Sequence, residues 1–156
     1  LKKLSWANLK ATIKTYFDTL YMGLTGNQTV AGNKSFTGNI LVTSPSSVIG
    51  YGTGSGGAVK QDTSKSTAVT LNKPTGTITT SNSTLAAGQG VVFSFLNSLI
   101  GINDNLKLTP KGVVNYDIDV IDIYNGTAII RIINKDTISH SDAIAINFSL
   151  EKGAIA

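Results

Sequence analysis

The chain has 156 residues, with 14% charged, 41% hydrophobic, 16 glycines, no cysteine and a formal net charge of +4. That length accommodates one ordinary domain with an appendage, and the missing cysteines exclude disulfides and thiolate metal sites. The low charge and the wealth of Gly, Ser, Thr and Asn are usual in extracellular or virion β-proteins, so the composition predicts a mainly β fold.

The charge is uneven. Residues 1–22 carry Lys2, Lys3, Lys10 and Lys14 against Asp18, which is +3, and the remaining residues therefore carry +1. A nucleic-acid surface requires a basic stripe interleaved with aromatics, so no nucleic-acid partner is expected. No apolar run approaches the ~20 residues of a membrane-spanning helix, and the opening LKKLSWANLK is too polar for a signal peptide. No membrane insertion is expected. A helix that begins at once, without a methionine, reads as the cut edge of a longer chain.

Residues 1–24 are expected to form a coiled-coil helix. The stretch 5–22, SWANLKATIKTYFDTLYM, lacks Gly and Pro, places Ser5 as an N-cap and Gly23 as a C-cap, and spaces Trp6, Leu9, Ile13, Tyr16 and Leu20 as a heptad seam. A helix this short is marginal alone, so its seam calls for copies of itself. The competing reading is an amphipathic helix packed on its own domain.

Residues 25–49 contain a six-residue repeat: GNQTVA, GNKSFT, GNILVT. Gly-Asn supplies positive-φ or tight-turn geometry, and the next residues suit a very short strand. The fifth position carries Val30, Phe36 and Val42, one large apolar side chain per repeat. A single chain buries almost nothing with that pattern, whereas three interwound chains would stack those residues in layers along a shared axis. The alternative is a pair of ordinary hairpin turns.

Residues 50–156 read as an antiparallel β-sandwich head. GYGTGSGG at 50–57 forms a neck, and although Gly52, Gly54 and Gly57 fit a G-x-G-x-x-G search, no strand precedes and no helix follows, which excludes a dinucleotide fold. Strands are expected at 67–71, 76–80, 91–97, 113–124, 127–134 and 143–150. Asn125-Gly126 marks a hairpin. In the last strand Ile144, Ile146, Phe148 and Leu150 share a face opposite Ala143, Ala145, Asn147 and Ser149.

LTGNQTVAGNKSFTGNILV resembles segments of the pattern NQT-[IV]-AG-x-K-[ST]-F that recur in tail fibres of tailed bacteriophages and prophages. GYGTGSGGAVKQDTSKSTAVTLNKPTGTITTSNSTLAAG is similar to the start of the C-terminal head of such fibres, and the likeness extends to NFSLEKG. The resemblance covers residues 25–156. It implies a homotrimeric virion protein, the C-terminal receptor-binding region of a fibre, acting outside the cell on a bacterial surface polysaccharide or surface protein and joined to an N-terminal remainder of the fibre.

Candidate sites are few. Asp117, Asp119 and Asp122 in YDIDVID read as a solvated strand face, since calcium requires more converging oxygens. Neither a deep cleft for a glycosidase carboxylate pair nor an ordered base for Ser139 or Ser141 is expected, so the chain is read as a non-enzyme without cofactor or metal. His140, the single histidine, is placed in an exposed loop; three copies on a trimer axis holding a metal is the alternative. Receptor contact is assigned to loop residues Asn103, Asp104, Tyr124, Asn125, His140 and Asp142, which combine the aromatic, amide and carboxylate groups that stack on and hydrogen-bond to sugars. A structural trimerisation tip without receptor binding, and an accessory carbohydrate-binding module of a secreted protein, are the competing functions.

Overall fold

The computed structural model describes residues 5–20, 30–112 and 114–153, with the backbone alone at 17–20. The chain divides into two compact units, Leu1–Ser47 and Val48–Ala156.

In the first unit, α1 spans Trp6–Leu20. Ser5 caps it as expected: its Oγ accepts the Asn8 amide at 3.2 Å, and its carbonyl accepts the Leu9 amide at 3.0 Å. The expected C-cap, Gly23, lies outside the described residues, as does the Leu20 side chain. Along the seam Trp6, Ile13 and Tyr16 are exposed and Leu9 is half-buried. Residues 30–47 form no strand, so the short strands expected of the repeat do not appear among its described residues; the start of the first repeat, residues 25–29, lies outside them. A strand exists by pairing its amides with a neighbour, and none of the strand pairings involves this stretch. Gly32 has a φ of 73°, which accords with the turn role of Gly-Asn. Val30, Phe36 and Val42 are all exposed.

The second unit contains β1 (Ala58–Lys60), β2 (Val69–Thr70), β3 (Thr75–Thr79), β4 (Gly90–Leu96), β5 (Asn105–Lys111), β6 (Tyr116–Tyr124), β7 (Thr127–Asn134) and β8 (Ala145–Glu151). They form two four-stranded sheets, β1-β3-β8-β5 and β2-β4-β7-β6. Fully buried Ile78 and Ile146 from the first sheet meet Phe95, Ile130 and Ile132 from the second. The rings of Phe95 and Phe148 cross the gap with centroids 4.8 Å apart.

Both sheets are mixed, which corrects the all-antiparallel expectation: β1 runs parallel to β3, and β2 parallel to β4. Parallel neighbours require a crossover. Here the chain alternates sheets over its first strands, so β2 carries the crossover between β1 and β3, and β3 carries that between β2 and β4. Hydrophobic alternation reports which face is buried and leaves strand direction open.

Two strands were not expected. β1 is three residues long and follows the glycine neck. β5 contains Pro110, which reads as a breaker but is tolerated because β5 is a sheet edge with one neighbour. The β6–β7 hairpin turns at Asn125-Gly126 as expected, with Tyr124 opposite Thr127 and positive φ at Gly126 alone. In β8, Ile146, Phe148 and Leu150 are buried, and Ile144 precedes them in the same register.

Candidate functional site

The six residues assigned to receptor contact fall at opposite ends of the sandwich. Asn125 and Tyr124 sit at the β6–β7 turn, where the Asn125 Oδ1 accepts the Ile102 amide at 3.0 Å and the Gly126 amide donates to the Ile100 carbonyl at 2.8 Å. These bonds bring the 97–104 loop, with Asn103 and Asp104, to the same end. His140 and Asp142 lie at the other end, beside Tyr116, which pairs with Asn134. The nine residues of β6 separate the two groups by roughly 25 Å.

The chain enters the head at the first of these ends. The Tyr51 hydroxyl donates to the Leu150 carbonyl, and the Gly57 carbonyl accepts the Thr77 amide at 2.9 Å. Asp104 there is buried, not a loop tip available to a receptor. Its carboxylate accepts the amides of Gly101 (2.7 Å) and Gly153 (3.0 Å) and pairs with the Lys152 ammonium. The Lys152 hydrogen bond in particular, helped by the two amides, draws its pKa down to about 2. Tyr124 is exposed, with its hydroxyl donating to Asp122.

The far end is built on a buried polar base. Lys65, 2% exposed, donates from Nζ to the carbonyls of Ser81 (2.7 Å), Ser83 (2.8 Å) and Asp142 (2.7 Å). Those three acceptors match the three hydrogens of an ammonium. Burial lowers the pKa of this amine, and Asp142 opposes that shift. Buried Gln61 donates to the carbonyls of Lys65 (3.0 Å) and Thr67 (2.7 Å), and buried Asn134 donates to those of Leu85 (3.0 Å) and Ile138 (2.8 Å). The loops that carry the site are thereby fixed from beneath.

On this base, His140 is not in an exposed loop. Its backbone makes an antiparallel bridge with Leu85. Its ring is 16% exposed, with Nε2 2.8 Å from Asp136 Oδ2 and 3.3 Å from Asn115 Nδ2, and Nδ1 3.7 Å from Asp142 Oδ2. Tyr116 packs against it with centroids 6.0 Å apart and donates to Asp142 Oδ2 at 3.2 Å. Burial, reinforced by the Asp142 charge, pushes the Tyr116 phenol up to about 12. The hydrogen bond to His140 holds Asp136 below the usual carboxylate range. A recess of about 380 Å³ opens beside this group, lined by Lys111, Val114, Asn115, Tyr116 and Asp142.

Sequence reasoning found His140 and Asp142 but missed Tyr116, Asn115, Asp136, Lys111 and Lys65. Tyr116 opens the YDIDVID run and carried a signal, because it keeps the alternation with Ile118 and Val120. Lys65, in TSKST, carried none.

Asp117 and Asp119 lie on a solvated face, paired with Lys135 (2.7 Å) and Arg131 (2.8 Å). A bulge between Val120 and Asp122 shifts the register so that Asp122 is exposed as well. Among the described residues, no three or more His, Cys, Asp or Glu side chains are grouped to hold a metal, and no helix is long and apolar enough to cross a membrane. No protein-family model matches the chain, and no curated protein or solved structure is found similar to it.

Proposed function

We propose that the chain is the C-terminal part of a homotrimeric tail fibre of a phage or prophage, whose head adsorbs to a bacterial surface glycan without cleaving it. The observation that carries the assembly is the exposure, in one chain, of Trp6, Ile13, Tyr16, Val30, Phe36 and Val42. They recur at heptad and six-residue spacing, and a regular apolar series left in water is the mark of a surface that copies of the same chain cover. Wound together, residues 6–20 form a coiled coil and residues 25–49 an interwound β-shaft.

Adsorption is assigned to the far end of the head, opposite the neck. The half-exposed Asp142 carboxylate, the Asn115 amide and the Lys111 ammonium border a recess of about 380 Å³, a size and polarity suited to one or two sugar rings. Asp136 and Asp142 both face the one imidazole of His140, an arrangement that orients hydrogen bonds instead of placing an acid and a nucleophile across a glycosidic bond. Weak single sites gain avidity in threefold copy.

The competing reading, a folding tip without a receptor, draws on the neck end, where Asp104 and Asn125 are engaged within the fold. The isolated protein should block adsorption of the parent phage, Asp142→Ala and Asn115→Ala should weaken blocking, and Asn103→Ala should not. Absence of blocking favours the folding tip; release of new reducing ends from the polysaccharide contradicts the non-enzymatic assignment.

A further inference from the structure

His140 is the single histidine of the chain, and its ring stands between two carboxylates. Asp136 Oδ2, from the loop after β7, lies 2.8 Å from Nε2, and Asp142 Oδ2, from the segment before β8, lies 3.7 Å from Nδ1. A neutral imidazole has one N–H to give. At 2.8 Å two lone pairs would oppose each other, so the proton belongs on Nε2, where Asp136 accepts it. The Asn115 amide is the more distant neighbour of Nε2, at 3.3 Å, and rotation exchanges its two ends. Nδ1 is then a lone pair beside Asp142, and 3.7 Å is too long for a hydrogen bond.

Both backbones are fixed, which leaves the Asp142 side chain to move. The His140 amide and carbonyl are bonded to Leu85 at 3.1 and 2.8 Å, and the Asp142 carbonyl accepts the Lys65 ammonium at 2.7 Å. The Asp142 side chain is 56% exposed and lines the recess together with Lys111. The other groups around the ring are committed. Lys135 pairs with Asp117 at 2.7 Å, and the Thr84 and Ser141 hydroxyls beside the Leu85 bridge bond to each other at 2.7 Å. The Tyr116 phenol, pushed up to about 12, stays protonated at neutral pH and donates to Asp142 Oδ2 at 3.2 Å.

We propose that His140 is a proton-operated latch on Asp142: protonation at Nδ1 draws the carboxylate onto the imidazolium and away from the recess, so adsorption weakens as pH falls. The inference rests on the adsorption reading above and adds its regulation. Imidazoles change charge between about pH 5 and 8, where carboxylates are ordinarily ionised. Asp136, held below the usual carboxylate range, keeps the Nε2 proton while a second is added at Nδ1. That second proton turns a lone pair facing a carboxylate into a charge-assisted donor, and rotation of the Asp142 side chain closes the remaining gap. A ligand hydroxyl or ammonium competes for the same carboxylate, so ligand and proton oppose each other reciprocally. An ion pair this exposed changes affinity by about two- to fivefold. The window lies well above the pKa of Asp104, about 2, so the fold itself is not at stake.

With one histidine, the isotope-labelled full chain gives one imidazole to follow by NMR. The Asp142 carboxyl carbon, assigned through its loss in Asp142→Asn, reports the other partner. Both would be read from about pH 8 to 5, with blocking of the parent phage measured at the two ends. The expected result is a proton on Nε2 alone at the upper end and on both nitrogens at the lower, with the Asp142 signal moving as the imidazole does. Blocking should be about two- to fivefold weaker at the lower pH, and His140→Gln should abolish that ratio. An Asp142 signal that ignores the imidazole, or a blocking ratio unchanged in His140→Gln, overturns the latch and leaves the adsorption reading intact. Absence of blocking at either pH overturns the adsorption reading and the latch's role in it.

Discussion

The ammonium of Lys65 donates to the carbonyl of Asp142 across 77 positions of sequence, at 2.7 Å, and so ties the TSKST loop to the segment that carries the candidate site. Lys65→Met removes the charge and leaves the Ser81, Ser83 and Asp142 carbonyls without their donor. Unsatisfied buried acceptors cost about 1–3 kcal/mol each before relaxation and water entry. A loss of about 3 kcal/mol is expected in denaturant unfolding. Lys65→Arg does not restore stability, because the larger planar group does not match three acceptors arranged around one nitrogen.

Asp104 makes the fold acid-sensitive. Its folded pKa, about 2, lies below its ordinary value of 3.8. The unfolded chain therefore takes up the proton first as pH falls, and the stabilisation is complete above about pH 4 and lost towards pH 2. With the partner Lys152 largely exposed, about 1–2 kcal/mol is at stake after screening. Asp104→Asn should lower stability at neutral pH and flatten the decline between pH 4 and 2, measured by thermal melts across that range.

Gly76 marks a close approach of backbone in the head. A Cβ there would lie 2.4 Å from the Gly57 carbonyl oxygen and 3.0 Å from the Phe148 ring. Gly76→Ala must push β1 away from β3, at a cost of about 2 kcal/mol or more. Faster amide exchange at Thr77, which donates to Gly57, would report the displacement. Gly88→Ala meets no atoms within 4 Å but suffers its positive φ of 66° and should cost less, about 1 kcal/mol.

In the six-residue repeat, Phe36→Asp would put a charge from each chain into one apolar layer, and buried unpaired charge costs several kcal/mol even after relaxation. Lys34→Asp removes only an exposed contact to the Ala31 carbonyl. The first variant should dissociate at far lower denaturant than the second. Equal midpoints would show that Phe36 does not face a shared axis.

Residues differ in how much of their role the sequence discloses. Phe148 and Ile146 declare their buried face by alternation, and Asn125-Gly126 declares its turn, because both signals lie within a few residues of chain. The direction of β1 and β2 depends on crossovers between sheets, which no local pattern encodes. The candidate site has the same limit. Tyr124 and Asp142 look alike as loop residues, and only the length of β6 reveals that they stand at opposite ends. Lys65 reads as a surface lysine among serines and threonines; its burial follows from three carbonyls that arrive from residues 81, 83 and 142.

Self-association is the claim on which the shaft and the avidity of adsorption both depend. Sedimentation equilibrium of the 16.3 kDa chain at micromolar concentration tests it most directly. The account predicts a single species of three times that mass, independent of loading concentration. A species of 16.3 kDa would contradict it.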